Sequence, residues 1–268
     1  GHASGESDAR EGRPHHPDST TSGGATVSTH RSTEHRATAR TVGALFIVAS
    51  ATAIAGGTLI DPITEDGADL TALHSQVSTG VLLEVLLALS VLAIAVLLFP
   101  VLRAVHEGGA LGYAALRTIE GGFVLVATST AIVAVNLAET GALDPAGGGT
   151  LDVLLTSREW AYFTGTMLVF SVSAVVLNAL LLATRLVPRW LSGWGLVGGL
   201  LLLLRAVLEL YGLESSLGLQ FLWAAPIALQ EMVFAVWLLV RGFDSSGTRV
   251  TDRDSEGATQ ADRAASPS

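Results

Sequence analysis

The chain has 268 residues, half of them in the hydrophobic class and only 15% charged, with a mean hydropathy of +0.53. That is too apolar for an ordinary soluble domain and places the chain among integral membrane proteins. A formal charge of −9 removes the electrostatic case for a nucleic-acid partner, and the lack of cysteine excludes disulfides, thiolate metal sites and a catalytic thiol.

Residues 1–40 are polar, rich in Ser, Thr, Gly and His, and hold no apolar stretch of the signal-peptide kind, so they are expected to form a disordered tail. The pair His15 and His16 within it is read as solvent-exposed chain, because a metal site needs ligands held in place. Six segments follow that are long enough to cross a bilayer, which takes about 20 apolar residues. They lie at about 41–60, 74–102, 112–138, 159–185, 190–211 and 219–241. Turn-forming stretches divide them: "DPITEDG" after the first, "HEGGALG" after the second, "DPAGGG" after the third, and Pro188 between the fourth and fifth. Residues 243–268 form a second polar tail.

In lipid, every backbone polar group must be satisfied within the protein, which leaves helices or a closed barrel. Unbroken Leu, Val and Ala runs of this length are helices, so the expected fold is an all-α, polytopic bundle of six transmembrane helices. Small residues mark places where helices can approach closely: Ala51, Ala53, Ala55, Gly56 and Gly57 on the first, and Gly195 with Gly199 in a GxxxG spacing on the fifth.

Direction follows from the arginines, since basic residues accumulate in cytoplasmic loops. Arg31, Arg36 and Arg40, then Arg103, then Arg185 and Arg189, then Arg241, Arg249 and Arg253 all fall at one end. The other end carries Asp61, Glu65, Asp66, Asp69, Glu139, Asp144, Asp152 and Glu214, with Arg158 as its single basic residue. Both termini are therefore expected to be cytoplasmic, in a multi-pass protein of the cell membrane. Trp190, Trp194 and Tyr211 suit the interfacial aromatic belts.

Apart from those at the segment ends, six charged residues fall inside the segments, where a charge costs about 2.5–3.5 kcal/mol on insertion scales and needs compensation. Counting depth at about 1.5 Å per residue sorts them into two layers. Glu84, Arg205 and Glu209 form an expected outer cluster, and Arg117, Glu120 and Glu231 an expected inner one. Arg117 and Glu120 are three apart and Arg205 and Glu209 four apart, so each pair can meet on one helical face. The remaining acids, Glu84 and Glu231, are then expected to share Arg205 and Arg117, because a guanidinium can bridge two carboxylates. The alternative for Glu231 is a neutral, protonated carboxyl, in a helix loosened by Pro226.

The phrases "LLFPVLR" (97–103), "LGYAALRTIEGG" (111–122), "RLVPRWLSGWGLVGGLL" (185–201) and "LQEMVFAVWLLVRGF" (229–243) together resemble the prokaryotic family of domain of unknown function 4386. The likeness spans about 40–243 and implies a six-helix membrane protein, with no defined reaction, ligand or site residues.

The residues themselves support three functional readings, beside a regulatory or scaffold role in which the polar Ser/Thr-rich tails are the docking elements. In the first, both ion clusters only lock helices together. In the second, Glu84/Arg205 and Arg117/Glu120/Glu231 serve a small-molecule or proton-coupled transporter. An intramembrane enzyme acting on lipid or isoprenoid is the third, and it lacks support: there is no HExxH, HxxxH or DxxxD pattern and no serine in a glycine elbow. No cofactor or metal is expected, and beyond the lipid bilayer no partner can be named.

Overall fold

The computed structural model of the protein describes residues 23–65, 67–143, 148–213 and 217–243. Residues 1–22 of the expected first tail (1–40), with His15 and His16, and residues 244–268 of the second (243–268) lie outside the described residues. Among the described residues there is no strand. The helices are α1 (Gly23–Ile60), α2 (His74–Arg103), α3 (Glu107–Glu139), α4 (Gly148–Phe163), α5 (Phe170–Thr184), α6 (Arg189–Leu210) and α7 (Leu217–Val240). A π-helical turn, Thr164–Val169, joins α4 to α5 without a break, so the seven helices give six spans long and apolar enough to cross a membrane.

Local chemistry explains the ends. Pro62 has no N–H to donate, and α1 gives way to a 3₁₀ turn over Asp61–Thr64. His106 caps α3, its Nδ1 accepting from the Gly109 N–H at 2.8 Å. At the other end of α3, Gly141 adopts φ +66°, and the Ala142 N–H returns to the Leu137 carbonyl at 3.0 Å, closing a glycine C-cap that a side chain would strain.

Two boundaries differ from the sequence expectation. Residues 23–40 were assigned to the tail, yet α1 begins at Gly23; the Ala and Arg of "RATAR" are good helix formers and carry the register of the span outward. The fourth span begins at Gly149, not near 159. The last two glycines of "DPAGGG" already belong to the helix, and "TLDVLLTSREW" continues without a breaker.

Each span packs on its neighbour in the chain, and α1 closes on α7, so the six spans form a ring. Consecutive spans run antiparallel, which gathers Arg36, Arg40, Arg103, Arg185, Arg189 and Arg241 at one end and Asp61, Glu65, Asp69 and Glu139 at the other. The main core lies toward the arginine end, where Phe46, Leu98, Leu102, Tyr113, Leu181, Leu191, Phe234 and Leu238 pack together. A smaller core of Ile60, Ile63, Val77, Ala131 and Val135 lies toward the acidic end. Ile54, Leu82, Val96 and Val126 are exposed on the outside of the ring, an apolar surface suited to lipid.

Candidate functional site

Between the two cores the ring encloses two sets of charged side chains of different character. The first joins three spans. Glu84 of α2 is fully buried, and Arg158 of α4 holds both its oxygens, Nη2 donating to Oε1 at 2.7 Å and Nη1 to Oε2 at 3.0 Å. The Thr128 hydroxyl of α3 donates to Oε2 at 2.7 Å, and Arg158 Nη1 also donates to the Ala127 carbonyl at 3.1 Å. The Tyr162 ring lies 5.6 Å from the Arg158 guanidinium carbon. A carboxylate with three close donors, two of them the prongs of one cation, has little capacity left, so this unit is a strut.

This arrangement corrects the expected outer cluster. Glu84 pairs with Arg158, and Arg205 pairs with Glu209 on its own helix at 3.3 Å. The sequence alone puts Arg158 in an extramembrane connection, because it predicts the fourth helix from about 159, ten residues after the span begins at Gly149. Arg158 therefore lies between two and three turns inside the span and is buried.

The second set is built on α3 and α7. Arg117 is buried, its Nη1 donating to both oxygens of Glu120 at 3.0 and 3.1 Å and its Nε to the Tyr113 hydroxyl at 3.1 Å. Three rings surround its guanidinium carbon: Phe170 at 5.2 Å, Tyr113 at 5.6 Å and Phe46 at 5.8 Å. Its remaining nitrogen, Nη2, faces Glu231 Oε1 at 3.6 Å, an ion-pair distance beyond hydrogen-bond reach. The Glu231 side chain is 18% exposed, whereas that of Glu84 is 0% exposed, so Glu231 is the less committed acid.

The structure thus brings Arg117, Glu120 and Glu231 together, and they border a cleft of about 160 Å³. Ser50 of α1, Tyr162 of α4, Thr166 of the π-helical turn and Phe170 of α5 complete its polar and aromatic wall, with apolar residues of α1 and α2 behind them. Ser50, Ala53, Tyr162, Thr166, Phe170 and Glu231 are partly exposed, which marks the open side between α1, the fourth span and α7.

The π-helical turn shapes this wall. Its Thr164 and Thr166 hydroxyls donate to the carbonyls four residues back, both at 2.7 Å, and the Phe170 N–H reaches the Gly165 carbonyl five residues back. Gly165 lets α3 press against the turn at Glu120: an added Cβ would lie 2.9 Å from Phe123 Cβ and 3.2 Å from the Glu120 carbonyl oxygen. The wider turn also slows the drift of i+4 positions around the axis, keeping Tyr162, Thr166 and Phe170 on the cleft side.

Other polar residues have local partners. His74 Nδ1 lies 2.8 Å from Glu139 Oε1 at the acidic end, and Gln230 donates to Asn178 Oδ1 at 3.3 Å across the α5–α7 gap. The Asn136 amide donates to the Ile132 carbonyl on its own helix at 2.8 Å. Among the described residues, no three His, Cys, Asp or Glu side chains come together as a metal-binding group.

Comparison with known families matches residues 41–242 to the model described as Domain of unknown function (DUF4386). No curated protein and no solved structure matches the chain. The match covers all six spans and both sets of buried charges, and the chain belongs to the family Domain of unknown function (DUF4386).

Proposed function

We propose that this bundle is a carrier for a small polar molecule, with Arg117, Glu120 and Glu231 forming the binding place and Glu84–Arg158 holding the scaffold. The observation that carries this reading is the cleft of about 160 Å³ in the middle of the ring, bordered by three ionisable side chains. Intramembrane charges are expensive and are kept where they pair or handle a solute. The Glu84 set is saturated by its partners, whereas Glu231 meets Arg117 through one contact of 3.6 Å, longer than any in the Glu84 set. A carrier needs one group that changes partners, and Glu231 has the geometry for it. The arginine-rich end favours a cytoplasmic location for both termini in the cell membrane.

The chain has no cysteine, so single cysteines can be introduced without background. Ser50→Cys and Thr166→Cys, in reconstituted protein, are expected to react with small water-soluble thiol reagents. Leu82→Cys, on the exposed apolar surface of α2, is expected not to react, because lipid suppresses the thiolate. Failure of both cleft variants to react would leave the cleft dry and remove the carrier reading.

A further inference from the structure

We infer that the ligand of this cleft is a small organic cation, a monovalent alkylammonium ion whose charge rests against Glu231. The inference rests on the carrier reading and adds the ligand's chemistry. It starts from charge: the cleft is bordered by one guanidinium and two carboxyl groups, a formal sum of −1 when both acids are ionised. Arg117 is already engaged, with Nη1 on Glu120 and Nε on the Tyr113 hydroxyl, and only Nη2 faces the Glu231 side. An anionic ligand would have to take that last nitrogen from Glu231, leaving three negative groups on one cation at low dielectric. A cation has the opposite effect. It meets the partly exposed carboxylate of Glu231 and brings the site to two positive and two negative charges.

The walls agree with this sign. Phe46, Phe170 and Tyr162, which border the cleft, already stand against guanidinium groups at 5.8, 5.2 and 5.6 Å. Aromatic faces of this kind attract alkylammonium ions and ask for no hydrogen-bond donor from them. Size sets the scale: about 160 Å³ is on the order of five water volumes. An ion of choline's size or smaller fits wholly within the cleft.

The test compares two methanethiosulfonate reagents on the Ser50→Cys variant in proteoliposomes, one with a trimethylammonium head and one with a sulfonate. Rates are normalised to those of each reagent with a free thiol. The cationic reagent is expected to react at least tenfold faster, and millimolar tetramethylammonium or choline to slow it. Glu231→Gln in the same background is expected to abolish both the preference and the protection. Equal rates, or a faster sulfonate reagent, would overturn the cation assignment while leaving the cleft open to water. Reaction with neither reagent would overturn the carrier reading itself. The rate ratio in the Ser50→Cys protein decides the matter even if the Glu231→Gln protein fails to fold.

Discussion

Arg158 and Glu84 lie 74 residues apart in sequence and two helices apart in the ring, yet both oxygens of the acid are held by both ends of the guanidinium fork. The arginine crosses α3 at the Ala127 carbonyl, so one side chain ties α4, α3 and α2 together. Removing one partner of such a pair leaves an uncompensated buried charge. Arg158→Ala is therefore expected to cost about 3–5 kcal/mol, read as a large fall in thermal stability in detergent. Arg158→Lys should recover only part, since an ammonium cannot present two parallel donors. Replacing both residues by leucine should lose less than Arg158→Ala alone, and a double variant worse than the single one would contradict the strut assignment.

Glu231 predicts the opposite behaviour. Its contact with Arg117 is 3.6 Å long and the side chain is partly exposed, so it contributes little that a neutral isostere would lose. Glu231→Gln is expected to change stability by no more than about 1 kcal/mol, the range of an ordinary net polar contact. Thermal unfolding of Glu231→Gln beside Glu84→Gln gives the comparison. Equal losses would place the two acids in the same structural role.

The contrast between these acids shows which parts of the architecture can be read from the chain. Six long apolar runs and the breakers between them carry the spans, because hydropathy and bilayer thickness are one-dimensional properties. Depth is one-dimensional too, and it groups Arg117, Glu120 and Glu231. Azimuth is not: counting depth along the chain puts Glu84 and Arg205 in one outer layer, but the ring places Arg158 on the side of Glu84 and leaves Arg205 beside Glu209. The missed arginine follows from one boundary. Three glycines look like a loop in water, while in the structure "GGTLDVLL" is the first part of a helix, and the ten-residue error moved Arg158 out of the membrane. The cleft and the π-helical turn depend on packing among five spans, and no local pattern encodes them. Two hydroxyls flanking a glycine in "TGT" are compatible with the π turn but also with an ordinary helix.

The GxxxG spacing on α6 supplies a third prediction. An added Cβ at Gly195 would fall on the Asn178 side chain of α5, against Oδ1, and that amide is held by the Ala174 carbonyl and Gln230. Gly195→Ala must displace a buried hydrogen-bonded group, for an expected cost of about 1–3 kcal/mol. Gly193 on the same helix has nothing within 4 Å of its added Cβ. Gly193→Ala should be neutral or stabilise by up to about 1 kcal/mol through helix propensity. Thermal unfolding of the two alanine variants separates close packing from the general abundance of glycine in such helices.

Topology provides the last prediction. The ring gathers six arginines at one end, and the described connections at the other end carry Asp61, Glu65, Asp69 and Glu139 but no arginine, because Arg158 has withdrawn into the fourth span. Withdrawing Arg158 strengthens the bias, since a buried paired arginine no longer counts as a loop charge. Fluorescent protein fused after Arg241 should therefore fluoresce, and alkaline phosphatase at the same point should be inactive, as expected for the cytoplasmic side. Phosphatase fused in the connection after Glu139 should be active. Replacing Arg185 and Arg189 of the α5–α6 connection with Gln removes two of the six arginines and should weaken the bias without reversing it. A C-terminal phosphatase fusion active in the unmodified chain would invert the assignment and put the arginine end outside.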